Sequence, residues 1–327
     1  IVIGYAGLLD LGYAAFFAIG AYAMGLLNSP VLGSPLYGHR WSFWVVIWFS
    51  ALISALLGLV IGAPTLRVRG DYLAIITLGF GEIIPVFIRN LGDVNIEFGS
   101  WKPVQRLNLT GGENGVNPIG RPYLPGVDFD NSAIPWYYLI LLIGAASLWA
   151  MNRMRDSRLG RAWIAIREDE TAAAAMGVPL MRSKTWSYAL GAFFGGIAGA
   201  YYASFKSGAF PADFYFNISV FLLCMVILGG MGSIWGVTVG GMILAYLNFS
   251  GLSTIGSKIQ AAGIDFDPTK YQFGIYGIII VLMMLFRPAG LIPERRHKIE
   301  LEEGVHDTPF YDVQTEGALT DRDQSDD

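Results

Sequence analysis

Residues 218–248 read ISVFLLCMVILGGMGSIWGVTVGGMILAYLN and contain no charged side chain. A helix that crosses a bilayer needs roughly 20 mostly apolar residues, so this stretch is long enough to span. The glycine-rich run at 229–236 interrupts its centre. We therefore predict two shorter helices that meet at a turn or a hinge formed by Gly229, Gly230 and Gly232.

The whole chain shares this apolar character. Of its 327 residues, 54% are hydrophobic and only 15% are charged, whereas about 25% are charged in soluble domains. These values argue against a soluble enzyme, a nucleic-acid-binding protein or a disordered chain. They predict an all-α, polytopic transmembrane helical bundle. The 41 glycines fit this prediction, because membrane helices pack through small residues. Gly191, Gly195 and Gly199, at four-residue spacing, predict one such packing face.

The order of apolar segments outlines the bundle, and residues 1–298 are predicted to be its transmembrane domain. The apolar segments are 1–27, 43–63, 73–88, 135–151, 186–204, 218–248 and 271–287, and the main polar loops are 28–42, 90–134 and 250–270. Five glycines within 1–27 predict a broken or re-entrant helix followed by a span. Backbone of that kind is tolerated at membrane depth only beside protein or a cavity. The chain begins inside an apolar segment and without Met, so we expect a fragment that lacks at least one N-terminal helix.

Basic residues predict the orientation of the bundle. The segments 64–72, 152–184 and 287–298 hold 13 Lys and Arg residues, and the opposite loops hold seven over a greater length. The first set is therefore predicted to be cytoplasmic. The external loop is then 90–134, which either docks a partner or braces the outer face. The tail, 299–327, has ten acids and one base, and its composition predicts a disordered cytoplasmic segment.

Motifs for catalysis or metal binding are not found in the sequence. It has no GxxxxGK[ST] and no HExxH, and its three histidines are scattered. No Ser, His and Asp set is suggested at any spacing. We therefore predict that the chain is not an enzyme and carries no metal or cofactor.

Two acids lie within apolar segments. Carboxylates at membrane depth usually face a partner or a cavity, because a charge at a helix centre costs about 2.5–3.5 kcal/mol. Asp10 and Glu82 therefore either line a pathway and meet a substrate ammonium group, or have structural roles. In the structural interpretation Asp10 caps the helix that begins near Gly12, and Glu82 lies near an interface or pairs with Arg89.

An alanine-rich stretch with a charged REDE cluster lies at 157–178, on the predicted cytoplasmic side. Gly177 and Pro179 are typical of a helix end. The stretch is either a solvated connector or a small-faced helix that docks into the groove of a partner protein.

Five motifs together resemble one known family. These are GYAGLLDLGYAAFFAIGAYAMGLL (4–27), LRVRGDYLAIITLGFGEII (66–84), TGGENGV (110–116), SRLGRAWIAIREDETAAAAMGV (157–178) and ILGGMGSIWG (227–236). They are similar, in the same order, to segments of the LivM-type permease subunits of branched-chain amino-acid ABC importers. The resemblance covers most of residues 1–290, and the acidic tail resembles no segment of that family.

The resemblance implies a fold similar to that of ribose-type permeases, in the cell membrane of a prokaryote. It implies that a second, LivH-like permease completes the pathway and that LivG- and LivF-like ATPases bind on the cytoplasmic side. An extracytoplasmic binding protein would deliver the substrate. The coupling segment, about 152–184, would contact the ATPases through residues within 157–178. These are Arg161, Arg167, Glu168, Asp169, Glu170, Ala174, Met176 and Gly177.

Near the expected pathway the sequence departs from the family pattern. Asp10 stands where Ser is common, and Tyr13 stands where His is common. Both are predicted to line the pathway, with Glu82 as a third candidate. Two alternatives therefore stay open: a permease of a urea or short-amide ABC importer, and a stand-alone channel or secondary transporter. Lipid is expected as the surrounding phase and nucleic acid is not expected as a partner.

Overall fold

The computed structural model describes residues 1–29, 41–68, 71–92, 94–98, 101–261, 268–287 and 290–292. The predicted acidic tail, 299–327, lies outside the described residues, as does most of the predicted loop 28–42.

The described residues form a helical bundle with one β-hairpin. Its helices are α1 (Tyr13–Asn28), α2 (Phe43–Thr65), α3 (Asp71–Asn90), α4 (Ile134–Arg155), α5 (Arg158–Glu168), α6 (Glu170–Ala175), α7 (Leu180–Lys206), α8 (Phe216–Gly229), α9 (Ile234–Tyr246), α10 (Leu252–Ala261) and α11 (Gln272–Phe286). Strands β1 (Val94–Phe98) and β2 (Trp101–Leu107) pair antiparallel within the loop after α3. The predicted helical-bundle class is confirmed, and the hairpin is an element that the sequence did not predict.

Within the described residues, six helical stretches are long and apolar enough to cross a bilayer. They are Phe43–Thr65, Tyr72–Asn90, Ile134–Arg155, Pro211–Gly229, Ile234–Ala261 and Pro268–Phe286. The predicted multi-pass architecture is confirmed. We call the side that carries α5 and α6 the basic face, and the side that carries β1 and β2 the hairpin face.

Helices α1, α2 and α7 form the centre of the bundle. A Cβ atom at Gly20 of α1 would overlap the backbone of Gly196 in α7, and one at Gly199 of α7 would overlap the carbonyl group of Phe17. Gly58 of α2 also lies close to α7, since a Cβ atom placed on Gly58 would come 2.6 Å from the Cβ atom of Ala192. Close backbone approach of this kind is how helices pack in lipid, where burial of apolar side chains adds little.

Helix α3 is continuous through Gly79, Gly81 and Pro85. Its 20 residues give a length of about 30 Å. Gly12, immediately before α1, packs against Thr77, and Glu82 contacts the first residue of α8. Helices α1 and α8 therefore both begin about halfway along α3. The broken or re-entrant helix predicted within 1–27 is not present, because residues 1–12 form turns and irregular backbone and only the 16 residues of α1 are helical.

The turn between α8 and α9 lies at the glycines predicted for it. Gly230 and Gly232 have φ values of 113° and 94°, a region that strains residues with a side chain. Residues after α11 close over this turn, because the Leu291 N–H donates to the Leu228 carbonyl at 3.0 Å and the Ile292 N–H to the Gly229 carbonyl at 3.2 Å. The turn is therefore held from outside by the chain that follows the last helix.

The prediction of a polar loop at 250–270 is partly wrong. A π-helical stretch, Leu247–Gly251, joins α9 to α10, so the helix continues to Ala261. Leu252 and Gly256 are buried on one side of α10. Apolar and small residues four apart give this polar segment an inward face, and that face stabilises the helix.

Candidate functional site

The buried carboxylate of Asp10 lies at the start of α1. Its Oδ1 atom accepts a hydrogen bond from the Gly12 N–H at 2.8 Å. Two further N–H groups at this helix start donate to hydroxyl groups of other helices. The Leu11 N–H donates to Thr77 Oγ1 and the Ala14 N–H to Ser219 Oγ, both at 3.1 Å. Asp10 thus binds the backbone at the start of α1, as the structural interpretation of its position predicted. Its Oδ2 atom has no hydrogen-bond partner among the described residues.

Glu82 caps a second helix. Its Oε1 atom accepts a hydrogen bond from the Phe216 N–H at 2.9 Å, at the first residue of α8. Arg89, the partner considered from the sequence, instead forms an ion pair with Glu113 at 3.7 Å. The Glu82 carboxylate therefore joins two helices of the bundle, since the N–H group that it binds is 134 residues away in sequence.

A cavity of about 360 Å³ lies between the N-terminal segment and helices α4, α7, α8 and α9. Its wall is mainly apolar, with contributions from Val2, Leu222 and Val226. Asp10 is the only charged side chain among the described residues that line it. The other polar side chains of the wall are those of Tyr5, Tyr13, Ser219, Ser233 and Thr238. A ligand of this volume would meet one carboxylate in an apolar chamber.

Two of the three predicted pathway residues line this cavity. Tyr13 lies beside Asp10, and its hydroxyl group donates to the Gly191 carbonyl at 2.9 Å. Glu82 is not among the lining residues. Sequence reasoning missed the walls from α8 and α9, because an evenly apolar helix gives no signal of which face it turns inward.

The predicted packing glycines of α7 face the N-terminal part of the chain. Gly191 lies against Val2, and Gly195 against Tyr13 and Phe16. Gly199 meets the backbone of α1. The predicted turn glycines lie elsewhere, where Gly229 packs against Gly236 of α9 and Gly232 lines the cavity.

On the basic face, α5 and α6 are fixed to the start of α7. The fully buried Trp163 donates from its indole Nε1–H to the Ser183 carbonyl at 2.7 Å. The Glu170 carboxylate pairs with the Lys184 ammonium group at 2.8 Å, and the Lys184 side chain is only 5% exposed. These contacts make α5, α6 and the first turns of α7 one packed unit.

The exposed part of this unit is the end of α6. Asp169 separates the two helices and caps α6, because its Oδ1 atom accepts from the N–H groups of Thr171 and Ala172. At the other end Met176 is 85% exposed, and Gly177, with φ 83°, ends the helix. Ala174 and Glu168 are also exposed. The apolar side chain of Met176 therefore projects from the basic face.

The two predicted coupling arginines bind within the chain. The Arg161 guanidinium donates to the Asp156 carbonyl at 2.7 Å. The Arg167 guanidinium donates to the Gly4 carbonyl, also at 2.7 Å, and is partly buried there. Arg167 thus turns towards the N-terminal segment rather than out from the basic face.

On the hairpin face, residues 108–134 lie across the ends of the helices. Thr110 donates to the Ile88 carbonyl at 2.6 Å, and Val116 pairs with Ala209 as an isolated β-bridge. Within this loop, hydrogen bonds from the Asn131 side chain and from the N–H groups of Asp130 and Asn131 hold the pKa of Asp128 below its usual value. These contacts support the interpretation of the loop as a brace on this face.

Comparison with known proteins identifies the family. Residues 1–284 match the family described as the permease component of the branched-chain amino acid transport system. The chain belongs to this family. It is a permease component of a transport system and a multi-pass protein of the prokaryotic inner membrane.

Individual relatives agree with this membership in the permease family. The chain is 35% identical to the high-affinity branched-chain amino acid permease LivM of Salmonella typhimurium, over 93% of this chain and 68% of that protein. It is 26% identical to a probable LivM of Methanocaldococcus jannaschii, over 90% of this chain and 82% of that one. It is also 23% identical to the nucleoside ABC transporter permease NupC of Lactococcus lactis, over 88% and 86%. No solved structure matches the chain.

Proposed function

We propose that this permease is one of two unlike membrane subunits of an ATP-driven importer, and that its cargo is a branched-chain amino acid. The observation that carries the choice of cargo is the cavity with its single carboxylate. An amino acid of this class brings an ammonium group, which would pair with Asp10, and an aliphatic side chain, which would contact the apolar wall. Pockets for small molecules commonly combine an apolar lining with a few placed polar groups in this way.

Urea and short amides fit this cavity less well. Such solutes carry no charge to offset a buried carboxylate. A nucleoside, the cargo named for the Lactococcus relative, also lacks a cationic group that could pair with Asp10. The cavity therefore favours the amino acid.

The experiment for cargo is uptake of labelled leucine by cells that express the permease with its neighbouring transport genes. We expect excess valine to block uptake and excess urea or adenosine to leave it unchanged. In the same assay Asp10→Asn should reduce leucine uptake by a factor of about ten or more, because a hydrogen bond to a charged group contributes about 1.5–3 kcal/mol. Uptake of urea or adenosine in place of leucine would overturn the cargo.

We also propose that the basic face is cytoplasmic and that the end of α6 docks into an ATPase subunit. The projecting Met176, with Ala174 and Gly177 beside it, supports this proposal, because small residues around one apolar anchor fit a surface groove. Glu168 and Asp169 flank the same surface and would face basic groups of the ATPase. A second permease, a second ATPase and an extracytoplasmic binding protein complete the proposed importer.

Met176→Asp tests the docking surface. We expect this variant to lose the copurifying ATPase while the two permeases still purify together, since a carboxylate in an apolar groove is unpaired. Met181→Asp puts the same charge on the same face, at the first turn of α7, and should keep the ATPase. Equal retention of the ATPase by both variants would argue against docking through α6.

A further inference from the structure

Arg167 joins the proposed coupling segment to the wall of the cavity. Its Nη1 atom donates to the Gly4 carbonyl at 2.7 Å. The aliphatic part of the same side chain lies on Gly7, where a Cβ atom would come 2.8 Å from Arg167 Cγ. Gly7 has φ 65°, so both the conformation and the space at this position suit glycine.

One of the residues that Arg167 touches, Gly4, also lines the cavity. Residues 1–5 line it. The backbone of Gly4 also abuts the turn between α8 and α9, because a Cβ atom on Gly4 would lie 3.0 Å from the Gly232 nitrogen. Residues 4–7 are therefore held between the end of α5 and the turn that closes the cavity.

The coupling segment behind Arg167 is well fixed. Trp163 and Glu170 bind it to Ser183 and Lys184 of α7. A push on the exposed end of α6 would therefore act on a packed unit rather than on a loose loop. Arg167 lies where that unit meets residues 4–7, through a charge-assisted hydrogen bond of the stronger kind.

We propose that Arg167 is a positioning residue that transmits displacement of α5 and α6 to residues 4–7, and through them to the cavity wall. This assigns it a role inside the permease, in place of the ATPase contact that the sequence predicted for it. The inference rests on the proposed function, since it needs an ATPase that moves α6. It differs from a direct ATPase contact of Arg167, because it predicts that ATPase docking does not depend on this residue.

The test compares Arg167→Ala with Arg158→Ala in the assembled importer. Arg158 is an exposed residue of the same helix, so its loss removes the same charge from α5. Three quantities are measured: the copurifying ATPase, leucine uptake driven by ATP, and hydrogen exchange of the amides of residues 5–8. These amides include the N–H groups of Tyr5, Ala6 and Leu8, which bond to residues 1 and 2.

For Arg167→Ala we expect the ATPase to copurify as in the unmodified importer, uptake to fall about tenfold or more, and exchange at residues 5–8 to rise about tenfold. A tenfold change matches about 1.4 kcal/mol, within the range of a hydrogen bond to a charged group. Arg158→Ala should change none of the three. Loss of the ATPase in Arg167→Ala, or uptake that stays normal, would overturn the proposal.

Gly7→Ala approaches the same contact from the other side. It keeps Arg167 but forces its side chain off the segment, so we expect the same fall in uptake with the ATPase still bound. Arg167→Lys keeps the charge and one donor and should restore part of the exchange protection. If Gly7→Ala left uptake normal, the contact would not transmit motion. Failure of Met176→Asp to release the ATPase is a separate result, because it would count against α6 docking alone.

Discussion

At the scale of single residues, glycine sets how closely α1 and α7 approach. Because the carbonyl group of Phe17 occupies the place of a Cβ at Gly199, even one methyl group must push the helices apart. We predict that Gly199→Ala destabilises the protein by about 1–3 kcal/mol, the usual cost of overpacking. The measurement is thermal unfolding of the purified complex in detergent.

Gly144→Ala is the matched control for this substitution. It adds the same methyl group within α4, where no described atom beyond the adjacent residues and the helix's own backbone lies within 4 Å of the new Cβ. We expect its unfolding temperature to stay at or slightly above that of the unmodified protein, since alanine also favours the helix. Equal losses in the two variants would mean that helix propensity, and not close contact, explains the glycines.

The residue scale also marks a limit of the sequence. Asp10 could be read as a cap because Gly12, the residue that it binds, is two positions away. Glu82 could not, because the N–H group that it accepts from belongs to Phe216 on another helix. A local capping pattern is visible in sequence, whereas a cap supplied through tertiary contact is visible only once the helices are packed.

At the scale of elements, the ion pair between Glu170 and Lys184 attaches α6 to α7. The Lys184 side chain is 5% exposed and that of Glu170 is 32% exposed, so the two partners are not equivalent. We predict that Glu170→Ala costs more than Lys184→Ala. It leaves a buried ammonium group unpaired, at about 3 kcal/mol, whereas water can reach the carboxylate left by the other variant.

The double variant Glu170→Ala with Lys184→Ala completes this comparison. It should be more stable than Glu170→Ala alone, because it leaves no unpaired charge. Unfolding temperatures of the three variants in one detergent are the readout. A Lys184→Ala variant that is less stable than Glu170→Ala would contradict the assignment of Lys184 as the buried partner.

Elements differed in how far the sequence could predict them. Helix α2 ends at Thr65, two residues beyond the predicted apolar segment 43–63. The turn at Gly230 was predictable because Gly229, Gly230 and Gly232 interrupt an apolar run. Helix α10 was missed, since its serine, threonine and lysine residues look like a loop until Leu252 and Gly256 are seen to pack inward. The hairpin β1–β2 was also missed, in a segment read as irregular from its Gly, Pro and Asn content.

At the scale of the whole molecule, the residues after α11 divide into two parts. Leu291 and Ile292 hydrogen-bond to the end of α8, while the acidic tail 299–327 lies outside the described residues. We predict that a chain ending at residue 298 keeps leucine uptake largely intact. A chain ending at residue 289 should lose assembly or uptake, because the turn between α8 and α9 is then uncovered. Uptake assays on the two truncations decide between these expectations, and loss of uptake in the first would show that the tail has a docking role.

The candidate site could be predicted only in part, because it is assembled from segments that are far apart in the sequence. The family, the proposed coupling segment and the two cavity-lining residues Asp10 and Tyr13 followed from motifs along the chain. The cavity itself needs walls from four separate helices and the N-terminal segment, and no pattern within one helix specifies that convergence. The inward turn of Arg167 likewise depends on Gly4 and Gly7, which lie 160 or more positions away in sequence.

The two helices that begin beside the middle of α3 bear on selection by charge. The start of a helix has a partial positive charge of about half a unit, which would attract anions if left uncompensated. Here each start already has its own carboxylate, Asp10 on α1 and Glu82 on α8. A carboxylate more than cancels that half-charge when it is ionised, so these helix starts would not attract anions. We therefore predict that excess phosphate esters or dicarboxylates do not compete with leucine for uptake, because the site favours a group that leads with an ammonium.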